Sequence, residues 1–310
     1  MINVLFASGS PPFSDYERPL QAAFSAAGLD VNLATDMAPG EVDYVIYGPS
    51  EGQLDFTGFS RLKAVQSLWA GVESMVRNDT LTAPLCRMVD HGLTEGMVEW
   101  VVGHTLRFHL GMDTHLAAQD GRWLSDTAPP LARQRKVAVL GLGALGSACA
   151  QALAGLNFEV HGWARSAKSV DGVTCHHGAS GLAPALQGAD VVVLLLPLTP
   201  DTKNLLNAER LEMLAEGACV LNPGRGPLID DDALLAALLQ GRLAHATLDV
   251  FRVEPLPAEH AFWAHPNVTV TPHIASETRA VTASQVVAET VRRGEAGEPF
   301  LHLVDRDAGY

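Results

Sequence analysis

Three short segments of this chain carry residue types that do acid–base and anion chemistry, and each follows a strand-forming run. Arg225 sits in Asn222-Pro223-Gly224-Arg225-Gly226, Glu254 in Asp249-Val250-Phe251-Arg252-Val253-Glu254-Pro255, and His273 in Thr271-Pro272-His273-Ile274-Ala275-Ser276. A guanidinium is a planar fork that fits a carboxylate. An imidazole moves protons near neutral pH, and a carboxylate beside it orients it and favours its protonated form. Any one of these residues alone would be an ordinary surface group. In an open parallel sheet, ligands bind beyond the carboxyl ends of the strands, so the three are expected to converge.

A fourth segment indicates what they converge on. Val137-Ala138-Val139-Leu140 is an apolar run of strand length, and it leads into Gly141-Leu142-Gly143-Ala144-Leu145-Gly146. This is G-x-G-x-x-G followed by a helix-forming stretch, Ser147 to Leu156, and a second predicted strand, Glu159 to Trp163. Gly141 permits the tight strand-to-helix turn, Gly143 lets the backbone approach a pyrophosphate, and Gly146 lets the helix pack on its strand. The phosphates would then meet the free N–H groups and positive dipole end of the helix at Ala144 and Leu145. The convergent Arg, Glu and His would lie near the nicotinamide end of such a dinucleotide.

The elements that must position these residues can be read from periodicity. The first ~95 residues alternate short apolar runs with helical stretches, as in a small α/β unit with a parallel sheet. Strands are predicted at Asn3–Phe6, Val31–Leu33, Tyr44–Tyr47, Ala64–Ser67 and Arg87–Val89, with a helix at Tyr16–Ala27. Thr94 is a candidate cap for a long helix from Glu95 through Ala118. From Lys136 a second βα series begins, its strands continuous apolar runs as in a sheet covered on both faces. They are Val137–Leu140, Glu159–Trp163, Val191–Leu195, Cys219–Leu221, Ala246–Val250 and Val268–Val270. A helix at Asp231–Leu239 has Asp230 as N-cap and Gly241 past its end. The last helix, about Glu277 to Arg293, leaves too short a tail for a domain and is expected to return to the first unit. The layout is two α/β units, 1–95 with 278–310 and 96–277, the second inserted into the first.

Taken with the glycine loop, the Arg225, Glu254 and His273 segments resemble the D-isomer-specific 2-hydroxyacid dehydrogenase family. The closing run Val304-Asp305-Arg306-Asp307-Ala308-Gly309-Tyr310 and the whole-chain layout look most like its glyoxylate/hydroxypyruvate reductase branch. The resemblance spans essentially the full length, strongly in the second unit and more weakly in the first. It implies a flavodoxin-like substrate domain and an inserted Rossmann domain that binds the dinucleotide. It implies reduction of a small 2-oxo acid, with His273 giving the proton, Glu254 orienting it, and Arg225 holding the carboxylate and steadying the developing alkoxide. By the same resemblance Pro197 and Thr199 line the cofactor cleft, and Asp249 binds the carboxamide. In the first unit Leu68-Trp69-Ala70-Gly71-Val72-Glu73 matches the family's substrate loop, where N–H groups at the positions of Ala70 and Gly71 meet the substrate carboxylate. Trp69 departs from the smaller residue expected there, and either narrows the site toward small substrates or packs against the hinge. The family's usual homodimer would employ the Glu95–Ala118 helix and Trp123.

Cofactor preference turns on Gly162-Trp163-Ala164-Arg165-Ser166-Ala167-Lys168. NAD-preferring members carry an acidic residue at the end of the second strand to hold the ribose hydroxyls. Ala164 stands at that position, and Arg165, Ser166 and Lys168 follow with groups that attract a 2′-phosphate. NADPH is favoured, with NADH as the alternative.

Composition sets the outer limits. The chain has 310 residues, 47% of them hydrophobic, enough for two cored domains. A net charge of −14 with no basic cluster argues against a nucleic-acid partner. The four cysteines form no C-x-x-C pair and read as reduced structural thiols of a cytoplasmic protein. No apolar run reaches membrane-spanning length, and no histidine grouping has metal-ligand spacing. Two rival readings stay open: an NAD-dependent dehydrogenase of another 2-hydroxy acid, and a nucleotide-sensing protein like the family's corepressor relative.

Overall fold

Five short apolar runs pair side by side as a parallel sheet near the N-terminus. They are β1 (Ile2–Ala7), β2 (Val31–Ala34), β3 (Tyr44–Tyr47), β4 (Ala64–Ser67) and β5 (Leu85–Cys86), in the order β2-β1-β3-β4-β5. Helix α1 (Phe13–Ala26) and the one-turn α2 (Glu73–Val76) connect them. The computed structural model describes residues 1–48 and 54–309, which fall into two compact units, Met1–Leu93 with Glu277–Tyr310 and Thr94–Ser276. The 2-1-3-4-5 order is that of flavodoxin-like folds.

Helix α3 (His91–His109) carries the chain into the second unit, and α4 (Met112–Ala117) follows. There the strands are β6 (Lys136–Leu140), β7 (Glu159–Ala164), β8 (Thr174–His177), β9 (Val191–Leu194), β10 (Ala218–Asn222), β11 (Leu243–Leu248) and β12 (Val268–Val270). The helices are α5 (Ala144–Gly155), α6 (Gly178–Leu186), α7 (Ala208–Leu211), α8 (Asp231–Leu239) and α9 (Ala261–Ala264). All seven strands are parallel, in the order β12-β11-β10-β9-β6-β7-β8. Six of them follow the doubly wound pattern, whose order reverses between β6 and β9, the place where such sheets bind ligands. Separate apolar clusters cover the two faces. One holds Leu140, Val192 and Leu248 and the other Val139, Val193 and Leu221, which is why the strands are apolar throughout. Helix α10 (Ala280–Ala296) then completes the first unit, packing on α1.

Several boundaries differ from the sequence reading. The long helix starts earlier than Glu95, because Asp90 rather than Thr94 caps it, its Oδ1 accepting from Leu93 N at 2.8 Å. It also breaks at Gly111, in the left-handed region at φ 62°, so the expected single helix to Ala118 is two. The strand expected at Arg87–Val89 lies at Leu85–Cys86. Beyond it the backbone N–H groups of Arg87 and Met88 turn to His302 O and Trp69 O, which end the pairing with β4. The last helix runs three residues later than expected at each end, capped at Gly297. Strand β8 and helix α6 were not predicted, since β8 is a short half-exposed edge strand and α6 contains Pro184. In the closing run Asp305 Oδ1 accepts from Asp307 N and Ala308 N. Arg306 donates to the carbonyls of Val76, Asn78 and Leu81. Tyr310 lies outside the described residues.

Candidate active site

The glycine loop shows three different demands on three glycines. Gly141 takes φ 109°, and a Cβ there would lie 2.4 Å from Leu195 O. A Cβ on Gly146 would lie 1.7 Å from Gly141 O, so only glycine lets α5 close onto the turn. Gly143 has ordinary dihedrals, and a Cβ on it would meet no atom within 4 Å. Gly143 is the N-cap of α5, and no side chain caps the helix. The first intrahelical bond is Ser147 N to Gly143 O at 2.9 Å. The N–H groups of Ala144, Leu145 and Gly146 are thus the helix's terminal donors. Uncapped donors, a dipole end and a bare Cα together make a cradle that fits a pyrophosphate.

Strand β7 ends at Ala164, buried and paired with His177, and Arg165, Ser166 and Lys168 follow exposed on the turn. After β9 the loop is tied by Thr202 Oγ1, which donates to Pro197 O at 2.7 Å and accepts from Thr199 N at 2.8 Å. Pro197 and Thr199 are half-buried on that loop.

Beyond β10, β11 and β12 come the three candidate side chains Arg225, Glu254 and His273. Asn222, the last residue of β10, uses its buried amide to shape the next turn, accepting from Gly224 N at 3.1 Å and donating to Arg225 O at 2.9 Å. Arg225 is extended at φ −144°, and its Nη1 donates to Gly224 O at 2.7 Å. Glu254 divides its carboxylate: Oε1 accepts from Phe251 N at 2.8 Å, and Oε2 lies 2.7 Å from His273 Nδ1. The first contact fixes the carboxylate on its own loop, and the second fixes the imidazole. Donation from Nδ1 leaves Nε2 as the ring atom for exchange with a reactant.

His273 is held from behind by Asp249. Its backbone is left-handed at φ 56°, a cost for a residue with a Cβ. Its N–H donates to Asp249 O at 2.8 Å. The Asp249 side chain is 1% exposed. Its Oδ1 accepts from Thr271 Oγ1 at 2.6 Å and Ile274 N at 2.9 Å, and its Oδ2 from Ala275 N at 2.9 Å. One buried carboxylate therefore determines the turn that presents His273. A carboxylate has about four acceptor positions, so one remains for a further donor. The sequence reading named Asp249 for a different task and gave Asn222 no role of its own. An Asn before Pro-Gly at a strand end is a turn signal that could have found it.

The first unit's loop stands by itself. Ser67 Oγ accepts from Trp69 N and donates to Trp69 O, both at 3.0 Å, and Thr278 Oγ1 donates to Leu68 O at 2.8 Å. Ala70 and Gly71 follow half-buried, and Trp69 is 42% exposed. A separate cavity of about 320 Å³ on α3 and α4 is lined by Trp100, His104, Arg107 and Leu116 among others, and by none of the three reactive residues. Beside it Thr269 Oγ1 accepts from Arg107 and sits 2.8 Å from His245 Nε2. Burial first, and Arg107 second, push His245 down to about 4. Among the described residues no cluster of three His, Cys, Asp or Glu side chains is placed for a metal ion.

A family model described as D-isomer specific 2-hydroxyacid dehydrogenase, NAD binding domain, matches residues 104–275. Among curated relatives, the glyoxylate/hydroxypyruvate reductase A of Serratia proteamaculans is 38% identical over 283 residues, 88% of this chain and 90% of that protein. A D-isomer specific 2-hydroxyacid dehydrogenase from Xanthobacter autotrophicus Py2, solved with NADPH and MES, is 43% identical. It superposes at a TM-score of 0.91 over 100% of this chain and 99% of its own. An NADPH-dependent glyoxylate/hydroxypyruvate reductase from Sinorhizobium meliloti, solved with NADP and sulfate, is 34% identical at a TM-score of 0.85, covering 100% of both chains.

Proposed function

This chain belongs to the D-isomer-specific 2-hydroxyacid dehydrogenase family of oxidoreductases, and from that premise we propose that it reduces glyoxylate and hydroxypyruvate with NADPH. The observation that carries the reading is the 2.7 Å contact between His273 Nδ1 and Glu254 Oε2, on loops that follow adjacent strands of a dinucleotide-binding sheet. In this reading the inserted unit, 96–277, takes the dinucleotide, and the 1–95 and 278–310 unit takes the substrate.

The cofactor, when bound, supplies the hydride. Everything else falls to the chain's own groups. The α5 N–H groups at Ala144, Leu145 and Gly146 hold its pyrophosphate, with Gly141 and Gly143 shaping the approach. Arg165, Ser166 and Lys168 hold the 2′-phosphate, where Ala164 offers no repelling carboxylate. Pro197 and Thr199 line the cleft, and the remaining acceptor position of Asp249 takes the carboxamide N–H. Arg225 grips the substrate carboxylate with its fork and lowers the energy of the developing alkoxide. Glu254 holds the imidazole in place through Nδ1, and His273 gives the Nε2 proton to the carbonyl oxygen. Trp69, Ala70 and Gly71 are assigned to the substrate carboxylate by the family's loop.

A homodimer through α3 and the segment after it belongs to the same proposal. Leu110, Met112, Leu116, Trp123 and Leu131 are all exposed along that stretch of chain, Trp123 at 92%, and exposed large apolar groups supply the material of association surfaces. We also place the protein in the cytoplasm, where four free cysteines suit a reducing medium. No helix among the described residues is long and apolar enough to cross a membrane. The relatives named as reductases and the assembled Glu254–His273 pair disfavour a purely sensing role. The test is His273→Ala. It should lower kcat for glyoxylate by about 100-fold or more while NADPH affinity, read by fluorescence titration, stays unchanged. Retained turnover would remove His273 from the chemistry.

A further inference from the structure

We propose that Arg252 is a positioning residue for the catalytic constellation, clamping the loop that carries Glu254 onto the chain that follows Arg225. The inference rests on the proposed function for its kinetic readout, though not for its structural one. Arg252 Nε donates to Asp231 Oδ2 at 3.0 Å, and its Nη2 donates to Asn204 Oδ1 at 2.6 Å and to the Ile229 carbonyl. These acceptors form one small seam. Asn204 N donates to Pro227 O at 2.8 Å, Leu206 N to Leu228 O at 3.0 Å, and Asp230 N to Leu206 O at 3.1 Å. The seam begins one residue past Gly226, whose own backbone presses on the same loop. A Cβ on Gly226 would lie 2.1 Å from the Phe251 carbonyl carbon.

The Arg225 and Glu254 loops are thus joined at two adjacent points, by backbone contact at Gly226–Phe251 and by the guanidinium of Arg252. Glu254 hangs from this junction, because Phe251 N fixes its Oε1 and leaves Oε2 to meet His273. The aim of the carboxylate therefore depends on where residues 251–254 sit, and Arg252 is the side chain that ties them down. A lysine could pair with Asp231 but could not reach three acceptors in a plane. Burial pushes the Asp231 carboxyl up and Arg252 opposes that push, so removing the cation also costs stability. For that reason the test separates positioning from folding.

The experiment compares wild type, Arg252→Met, Arg252→Lys, Glu254→Gln and the Arg252→Met/Glu254→Gln double variant, all full length. Two readouts are taken: kcat and KM for glyoxylate with saturating NADPH, and the NMR resonance of the His273 Nδ1 proton bonded to Glu254, at one fixed pH without substrate or cofactor. Arg252→Met should lower kcat about tenfold, in the range of coupled neighbours, with KM for glyoxylate unchanged. It should weaken or abolish the Nδ1 proton resonance, as Glu254→Gln is expected to, and add nothing further in the Glu254→Gln background. Arg252→Lys should fall between, and it carries the test if Arg252→Met fails to fold. A folded Arg252 variant with a lowered Tm but a wild-type His273 Nδ1 proton resonance would overturn the proposal. So would a loss that simply multiplies with that of Glu254→Gln. If wild type turned over no 2-oxo acid, the functional reading would fail, and the His273 Nδ1 proton resonance would still decide the role of Arg252.

Discussion

His273 shows how a single reactive residue is made by its neighbours. Its left-handed backbone is a strain of about 1–3 kcal/mol. Three donors gathered on the buried Asp249 carboxylate, and Asp249 O accepting the His273 N–H, offset that strain. Glu254 then sets the ring. If the carboxylate aims the imidazole, Glu254→Gln should lower kcat for glyoxylate by about tenfold or more while KM stays unchanged. An unchanged kcat, with chemistry rate-limiting, would mean that Glu254 only packs. Arg225, Glu254 and His273 could be singled out from sequence because each follows a strand in the same sheet, and the structure brings Glu254 and His273 into contact. Asn222 left only a turn signal, and Arg252 left none: its work is done by side-chain bonds to a carboxylate, an amide and a loop carbonyl, which leave no periodic trace in the chain.

At the scale of elements, the βαβ unit at 136–164 was readable because its strand, glycine turn and helix all have local signatures. The glycines carry separable loads, and two alanine variants should divide them. Gly146→Ala puts its Cβ against Gly141 O and should cost at least about 2 kcal/mol of stability. Gly143→Ala meets nothing within 4 Å and should cost about 1 kcal/mol or less. It should nevertheless raise the NADPH dissociation constant by about tenfold or more, because the methyl fills the cradle. Equal effects of both variants on folding would contradict this division. The join of α3 to β11 and β12 carries a pH load. His245 titrates at an ordinary 6.5 in the unfolded chain and about 4 when folded, so the unfolded state binds its proton first. Its contribution is constant above about pH 6.5 and is lost as the pH falls toward 4. His245→Gln should therefore show a shallower fall of Tm over that window, and a slope as steep as wild type's would remove His245 as a cause. What sequence missed at this scale were the long helix's break at Gly111, the half-exposed β8 and α6 with its internal Pro184. In each a local feature, a left-handed glycine, a short edge strand or a proline, interrupted the periodic pattern.

For the whole molecule, the alternation of apolar runs and helical stretches identified two α/β units and the insertion of one in the other. The strand orders 2-1-3-4-5 and 3-2-1-4-5-6 with a seventh strand could be known only from the sheets themselves. Three of the four thiols, Cys86, Cys149 and Cys219, are buried, and burial pushes them up to about 11, 12 and 12, which leaves them inert and structural. In the proposed function the chemistry rests instead on the sheet's loops, with the glycine turn at 141–146 on one side of its switch point and Arg225, Glu254 and His273 on the other. The most direct measurement of that arrangement is kcat/KM of the wild-type enzyme for glyoxylate and hydroxypyruvate, with NADPH and NADH in parallel. The expected result is turnover of both acids, with NADPH preferred by about tenfold or more through the charge-assisted bonds of Arg165, Ser166 and Lys168. Turnover of neither acid with either cofactor, or a clear preference for NADH, would contradict it.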